Sequence, residues 1–291
     1  MDALRTWLAQ EGYPGTLELQ PMNRGLGSTE LWSFRPDPGE SKLVVRIFPH
    51  GAFRGAEREA LAMDAAAGHA LPVPDVVARG AIDNRPLLVT SFVQGVPGAH
   101  ALIANPDQAY AIGRAMGETL GHLHDVVAPE GLSATGAWIE RGGPSLAPLR
   151  DAFTALPDQD RLLHLDYHPL NVLMLDGRVT GVIDWENTLA GPPHMDLARS
   201  QAILRAIAIG HVESPVPLDA IAVFERGLVE GHAATYGPDP HPALSSAWGL
   251  AMTVDDLERQ AHKPGSPVSP DAVARLTAER DAAIEAARAG G

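Results

Sequence analysis

Cysteine is absent from the 291-residue sequence. This absence excludes disulfide bonds, thiolate metal sites and thiol nucleophiles, and it makes the cytoplasm the expected compartment. Long apolar runs are also missing: none reaches the length that a membrane span requires, and residues 1–5 do not begin a secretory signal. We therefore expect a cytoplasmic protein with no membrane partner.

Positive charge is scarce as well. The chain has 22 lysines and arginines against 36 aspartates and glutamates, which gives a formal net charge of −14. This balance argues against nucleic-acid binding, since nucleic-acid sites need a basic surface. An acidic surface can instead concentrate a cationic small molecule. The 45% hydrophobic content with 20% charged residues is ordinary for a globular protein.

Polar residues able to take part in catalysis or metal binding are concentrated in one short stretch. After an apolar approach at 162–163, eight residues contain His164, Asp166, His168 and Asn171. Two apolar runs follow, at 171–175 and 179–183, and the Asp-Gly-Arg between them predicts a β-hairpin. Such a hairpin would fix the polar loop that precedes it on a rigid frame.

The second apolar run ends at Asp184, which completes a recognisable set. Asp166, Asn171 and Asp184 together indicate phosphoryl transfer. One carboxylate would accept the proton of a substrate hydroxyl, while an amide and a second carboxylate hold magnesium on the nucleotide phosphates. The spacing Asp-x-x-x-x-Asn followed by a strand-terminal Asp matches the catalytic loop and metal-binding aspartate of kinase-like folds.

The residue types in this stretch indicate a family more specifically than their spacing does. His-Leu-Asp-Tyr-His-Pro-Leu-Asn, then Val-Ile-Asp-Trp-Glu and Asp-Leu-Ala, resembles the aminoglycoside phosphotransferase and choline kinase-like family of small-molecule kinases. That family usually has glycine where Leu165 stands here. The resemblance implies Asp166 as the catalytic residue, Asn171 and Asp184 as ligands of Mg²⁺, and ATP or GTP as the phosphate donor.

The resemblance also assigns nucleotide-binding residues in the first third of the chain. The turn Gly25-Leu26-Gly27-Ser28 resembles the family's phosphate-covering loop, because glycine lets backbone N–H groups approach phosphates closely. The run around Thr90 to Phe92 resembles the hinge, where backbone groups would bind the purine.

Two charged residues complete the predicted nucleotide site. Arg46 stands on a predicted strand where the family often has lysine, although Lys42 lies on the same face of that strand. On the following helix, Glu59 best resembles the glutamate that pairs with this cation, and Glu57 is the alternative. Arginine would supply the same charge through a broader, forked group.

The fold that the resemblance implies is α+β and two-lobed, like a protein kinase. We predict an N-terminal nucleotide-binding lobe over residues 1–95, with an antiparallel sheet and one main helix. A mainly helical catalytic and substrate-binding lobe would follow over residues 96–291. Helices are predicted at 2–10, 53–67, 106–125, 196–209, 217–235, 241–262 and 268–288 from apolar periodicity and Pro/Gly breaks. Either a monomer or a homodimer is compatible with the sequence.

The expected activity is phosphorylation of a small-molecule hydroxyl, with an aminoglycoside or another antibiotic as the leading acceptor. A cellular amino alcohol, sugar or homoserine-like metabolite is the alternative. Three acidic residues of the last third, Asp255, Asp256 and Glu258, either line a cleft for a cationic acceptor or form a solvated helix face. A metal-dependent hydrolase using His164, Asp166, His168 and His194 is a further alternative.

Overall fold

A computed structural model of the chain describes residues 1–13, 18–22, 29–37, 39–132, 136–210, 216–263, 266 and 268–290. Its first part is a five-stranded antiparallel sheet with strand order β1-β2-β3-β5-β4. The strands are β1 (Gln20–Pro21), β2 (Glu30–Phe34), β3 (Leu43–Ile47), β4 (Val76–Ile82) and β5 (Arg85–Ser91).

Strand β3 shows how this sheet separates its two faces. Leu43, Val45 and Ile47 are buried and pack in a cluster with Leu4 and Leu8 of helix α1 (Asp2–Gln10). Successive side chains of a strand point to opposite faces, so Arg46 lies on the other side. Helix α2 (Phe53–Gly68) lies on that side, since Glu59 contacts Arg46.

The rest of the chain is mainly helical and carries two small antiparallel sheets. One has the order β6-β8-β9, and the other pairs β7 with β10. These strands are β6 (Val96–Pro97), β7 (Arg161–Leu163), β8 (Val172–Leu175), β9 (Arg178–Val182) and β10 (Leu189–Gly191). The helices are α3 (Gly98–Ala104), α4 (Ala109–Leu123), α5 (Ala137–Arg141), α6 (Arg150–Thr154), α7 (Pro193–Ala208), α8 (Leu218–Thr235), α9 (Pro242–Ala261) and α10 (Pro270–Ala289).

The predicted hairpin over 171–183 is confirmed, as is a second one that the sequence predicts from 75–79 and 86–92, and each closes with a two-residue turn. Asp83 and Asn84 join β4 to β5, and Asp176 and Gly177 join β8 to β9. All four residues have positive φ, between 48° and 75°. This conformation suits the right-handed twist of the flanking strands, and aspartate, asparagine and glycine adopt it at low cost.

Helices α4 and α8 pack with their backbones in close approach. A Cβ atom on Gly113 or Gly117 of α4 would collide with backbone atoms of α8, and one on Gly227 or Gly231 would collide with the backbone of α4. Glycine is therefore required at these positions by the contact itself. Near the end of α4, this packing brings His124 within 2.8 Å of His232.

The α+β, two-lobed kinase-like fold is confirmed, with differences at the ends of elements. Residues 106–108 form a 3₁₀ turn, so α4 begins at Ala109. Helix α7 begins at Pro193, before the predicted residue 196, because proline is favoured in the first turn of a helix. Helix α5 lies in the Pro/Gly-rich segment 127–148, for which the sequence predicts loop or irregular structure. The boundary at residue 95 stays a prediction.

No helix in the described part of the chain is long and apolar enough to cross a membrane.

Candidate active site

The loop between β7 and β8 is held from behind by one buried carboxylate. Asp196, near the start of α7, accepts the backbone N–H of His164 at 2.6 Å and that of Leu165 at 2.8 Å. Leu165 has φ of 60° and a fully buried side chain. Leucine therefore adopts here the left-handed backbone that glycine favours.

Asp166 follows at once and forms a compact polar group with Asn171 and His168. Asn171 Nδ2 donates to Asp166 Oδ2 at 3.0 Å and to the Asp166 carbonyl at 3.0 Å. His168 Nε2 lies 3.5 Å from Asp166 Oδ1. Burial opposes ionisation of the carboxyl, but the hydrogen bond and charge of His168 and the charge of Arg199 outweigh it, and the pKa of Asp166 falls to about 2.

Asp184 lies directly beyond β9 and also has a positive φ, 65°. Its Oδ1 accepts a hydrogen bond from Arg46 Nη2 at 2.9 Å. The same Arg46 nitrogen lies 3.3 Å from Glu59 Oε1 and 3.9 Å from Glu186 Oε2. One cation of the N-terminal sheet thus contacts a carboxylate of α2 and two carboxylates that follow β9.

Burial and charge act in opposite directions on this ion cluster. Burial lowers the pKa of Arg46, but the charges of Glu59 and Asp184 prevail and raise it, so the guanidinium stays charged. For Glu59 burial prevails: it raises the pKa to about 7 although Arg46 opposes the shift. Glu59 Oε1 is buried and makes no hydrogen bond, so its contact with Arg46 is an ion pair only.

The geometry separates the alternatives that the sequence left open. Lys42 lies over the ring of Phe92, with Nζ 4.8 Å from the centroid, and Glu57 pairs with Arg79 at 3.5 Å. Arg46 and Glu59, in contrast, lie together beside Asp184. Their roles toward a nucleotide stay predictions.

The predicted hinge lies at the end of β5. Thr90 pairs with Val44 of β3, and the Phe92 N–H donates to the Lys42 carbonyl at 3.0 Å. A purine at this segment would therefore have to use backbone groups other than the Phe92 N–H. Gly25, Gly27 and Ser28 lie outside the residues that the structure describes.

Asn171 and Asp184 offer the oxygen donors that Mg²⁺ prefers. The backbone N–H of Ile183 donates to the Asn171 carbonyl at 2.9 Å, which fixes the residue before Asp184 against the loop between β7 and β8. Because Asn171 Nδ2 is bonded to Asp166, its side-chain oxygen is the group able to bind a cation. The two residues therefore fit such an ion.

The hydrolase alternative needs imidazole nitrogens that the fold already uses. His164 is buried: its Nε2 donates to the Ile183 carbonyl at 3.0 Å, and its Nδ1 accepts the Asp166 N–H at 3.2 Å. Within the described ranges, no three His, Asp or Glu side chains are grouped as a metal site.

Two of the three acidic residues proposed for a cationic acceptor have partners within the chain. Arg259 pairs with both Asp255 and Asp256, and the buried Arg199 also pairs with Asp256. Glu258 is exposed. The helical lobe thus presents less uncompensated negative charge than its sequence indicates.

Several residues around the site were not identified from the sequence. Arg58 of α2 donates to the Glu186 carbonyl at 2.6 Å, and Arg141 of α5 donates to Asn187 Oδ1 at 2.5 Å. Both arginines hold the segment that follows Asp184. Arg58 lies one position before Glu59, and that proximity was the only signal in the sequence.

Comparisons with known proteins bear on the family and the fold of this chain. The model of the phosphotransferase enzyme family matches residues 29–222, about two thirds of the chain. No curated protein matches the chain by sequence.

Solved structures with the same fold include three antibiotic phosphotransferases. A thermostable mutant of aminoglycoside phosphotransferase APH(4)-Ia, in ternary complex with AMP-PNP and hygromycin B, has a TM-score of 0.63 at 17% identity, covering 99% of this chain and 100% of that one. Macrolide 2'-phosphotransferase MphH from Brachybacterium faecium has a TM-score of 0.56 at 21% identity, covering 99% and 97%. Aminoglycoside-3'-phosphotransferase of type VIII has a TM-score of 0.56 at 26% identity, covering 87% and 97%.

The catalytic-loop spacing, the two-lobed fold and the family match over residues 29–222 lead to one conclusion: the chain belongs to the phosphotransferase enzyme family.

Proposed function

We propose that this protein transfers the terminal phosphate of ATP or GTP to a hydroxyl of a small molecule, with Mg²⁺ as the cofactor. Two sets of contacts carry the proposal: Asn171 is hydrogen-bonded to Asp166, and Asp184, which follows the Ile183 bonded to Asn171, pairs with Arg46 beside Glu59. Related folds that bind AMP-PNP with hygromycin B support a nucleotide and a small acceptor.

Each residue has a defined part in the proposed reaction. Asp166 accepts a hydrogen bond from the acceptor hydroxyl and aims its oxygen at the phosphorus atom. With a pKa of about 2, Asp166 is a weak base, so the proton reaches it only as the new P–O bond forms and the bond to the leaving nucleotide breaks. Arg46 binds the nucleotide phosphates, and Glu59 orients the Arg46 side chain.

Asn171 and Asp184 would hold Mg²⁺, which supplies charge neutralisation at the phosphate oxygens when bound. Before nucleotide binds, Arg46 occupies one oxygen of Asp184 at 2.9 Å. Nucleotide phosphates would offer Arg46 an alternative anionic partner and so release this carboxylate to the cation.

The second part of the proposal concerns the chemical class of the acceptor. An aminoglycoside or another antibiotic is favoured by the related folds, and a cationic acceptor is favoured by the net charge of −14. A cellular amino alcohol or sugar is the second candidate. The ion pairs of Asp255 and Asp256 leave the cationic acceptor supported mainly by the overall charge.

A transfer assay tests the function directly. Wild-type protein, Mg²⁺ and either ATP or GTP are incubated with aminoglycosides, macrolides, amino alcohols and sugars, and phosphorylated products are detected by mass spectrometry. Asp166→Asn should lower turnover ~10²–10⁴-fold, the usual contribution of a positioned base, while calorimetry shows nucleotide binding preserved. Near-normal turnover of this variant on the identified acceptor would remove Asp166 from the reaction.

A further inference from the structure

A chain of buried hydrogen bonds runs from helix α8 to the catalytic loop. His232 of α8 contacts His124 through its Nε2, 2.8 Å from His124 Nδ1. His124 Nε2 lies 3.3 Å from Asp196 Oδ2. Asp196 in turn accepts the backbone N–H groups of His164 and Leu165. His124, His232 and Asp196 are each fully buried.

The order of donors in this chain is fixed from its carboxylate end. Asp196 is an acceptor, so His124 must carry its proton on Nε2 to donate to it. A neutral His124 then presents a lone pair at Nδ1. His232 must supply the donor for that lone pair, and it therefore carries its own proton on Nε2.

The far end of the chain supports the same assignment. His232 Nδ1 is buried and has no hydrogen-bond partner, as expected for the unprotonated nitrogen of a neutral ring. A proton there would be buried without an acceptor. Burial first, and then the neighbouring His124 and His194, lower the pKa of His232 to about 2.

We propose that His232 is a positioning residue for the loop between β7 and β8, because its Nε2–H bonds to His124 Nδ1 and holds the His124 ring where its own Nε2–H donates to Asp196. Without that donor, nothing bonds to His124 Nδ1, and the ring is free to turn its Nε2–H away from Asp196. The carboxylate would then lose one of its three donors and hold the loop less firmly.

The backbone conformation of Leu165 depends on the hydrogen bonds that Asp196 accepts from the loop. Its left-handed backbone is unfavourable for a side chain with a Cβ, and the two N–H bonds to Asp196 act on this residue and the one before it. Asp166 follows directly, so a change in the Leu165 backbone moves the proposed catalytic carboxylate. The link between His232 and turnover rests on the proposed function, whereas the link to the loop backbone does not.

The test compares two substitutions of one residue. His232→Gln keeps an amide N–H near the position of Nε2, whereas His232→Leu removes the donor. Hydrogen exchange of the His164 and Leu165 amides should accelerate about five- to tenfold in the leucine variant, as expected for one weakened buried hydrogen bond, and stay close to wild type in the glutamine variant. Once an acceptor is identified, turnover should fall in the leucine variant only, at an unchanged nucleotide KM.

His194→Gln is the matched control. The His194 ring packs 5.5 Å from the His232 ring, but its Nε2 contacts the Gly237 carbonyl and takes no part in the hydrogen bonds that link His232 to Asp196. It should leave both amides unchanged. Nitrogen-15 NMR of the wild type adds a measurement that needs no variant to fold: both His124 and His232 should show the Nε2–H tautomer. A Nδ1–H tautomer at His124, or equal exchange in the leucine and glutamine variants, would overturn the proposal. Exchange is read without nucleotide, so a failed transfer assay leaves this result independent.

Discussion

The ion cluster around Arg46 responds to pH through Glu59. Burial raises its pKa from the usual 4.5 to about 7, so the folded protein binds a proton more tightly at this carboxyl than the unfolded chain does. A proton held more tightly in the folded state stabilises it below pH 4.5, and this stabilisation is lost as pH rises through about 7. Near neutral pH, a rise in pH therefore increases the negative charge of Glu59 and strengthens its ion pair with Arg46.

The stability of a Glu59→Gln variant should reveal this linkage. Between pH 4.5 and pH 8, wild-type stability should decline by roughly 3 kcal/mol relative to the variant, which cannot titrate at this position. Denaturant unfolding at a series of pH values measures the difference, in which other titrating groups cancel. Glu57→Gln, which changes an exposed carboxylate on the same helix, should run parallel to wild type. Parallel curves for Glu59→Gln as well would show that this pKa is ordinary.

At the scale of elements, the pairing of α4 with α8 determines the frame behind the site. The glycines of α4 recur every four residues at 113, 117 and 121, and those of α8 lie at 227 and 231. Residues four apart share a helix face, so each helix presents a strip without side chains. The two backbones approach closely along these strips, and His124 and His232 meet at one end.

Gly117→Ala should therefore be strongly destabilising. Its Cβ would collide with the Leu228 carbonyl and lie 2.8 Å from the His232 nitrogen, and both atoms belong to the backbone of α8. Overpacking of this kind costs ~1–3 kcal/mol, and we expect the upper part of that range because backbone cannot rotate away. Gly55→Ala in α2 is the control: nothing lies within 4 Å of the added Cβ, so helix propensity should stabilise by up to ~1 kcal/mol. Equal unfolding free energies for the two variants would contradict the packing argument.

The sequence predicted elements and local turns better than contacts between distant residues. Hairpin turns at Asp83-Asn84 and Asp176-Gly177 follow from local backbone preference, and α8 to α10 follow from apolar periodicity. Helix α5 escaped because its five residues are too few to show a period, although Trp138 and Ile139 are buried by tertiary packing. The same limit applies to the His124–His232 pair, which is separated by 108 residues.

For the candidate site, motif spacing predicted that Asp166, Asn171 and Asp184 lie close together. Asn171 is hydrogen-bonded to Asp166, and the β8–β9 hairpin returns Ile183, the residue before Asp184, to the Asn171 carbonyl. The spacing could not show which acidic residues are neutralised. Asp256 pairs with Arg199 57 residues earlier in the chain. No periodicity records such an ion pair, and the expectation of a freely acidic cleft was incomplete for that reason.

Over the whole molecule, the net charge of −14 favours a cationic acceptor, whereas the local ion pairs leave fewer free carboxylates to bind one. A long-range negative potential attracts a cation but is screened over ~8–10 Å at ordinary salt. Close binding of a cation needs carboxylates that are not already paired. Arg259, whose side chain is 58% exposed, pairs with both Asp255 and Asp256. Its removal uncovers Asp255 and leaves Asp256 paired with Arg199 alone.

Arg259→Gln consequently distinguishes steering by overall charge from binding by this acidic pair. If the acceptor is cationic and approaches Asp255 and Asp256, its KM should fall several-fold in the variant at low salt, because two carboxylates lose a competing cation. High salt should abolish the difference, since exposed charges are then screened. Arg288→Gln makes the same change in net charge on α10, where Arg288 pairs with Glu285 of its own helix, and should have little effect. The nucleotide KM is followed in parallel, because phosphate contacts respond to salt too. An acceptor KM that is unchanged by Arg259→Gln and flat across salt would exclude this acidic pair from acceptor binding and favour a neutral acceptor, with the phosphotransferase proposal unaffected.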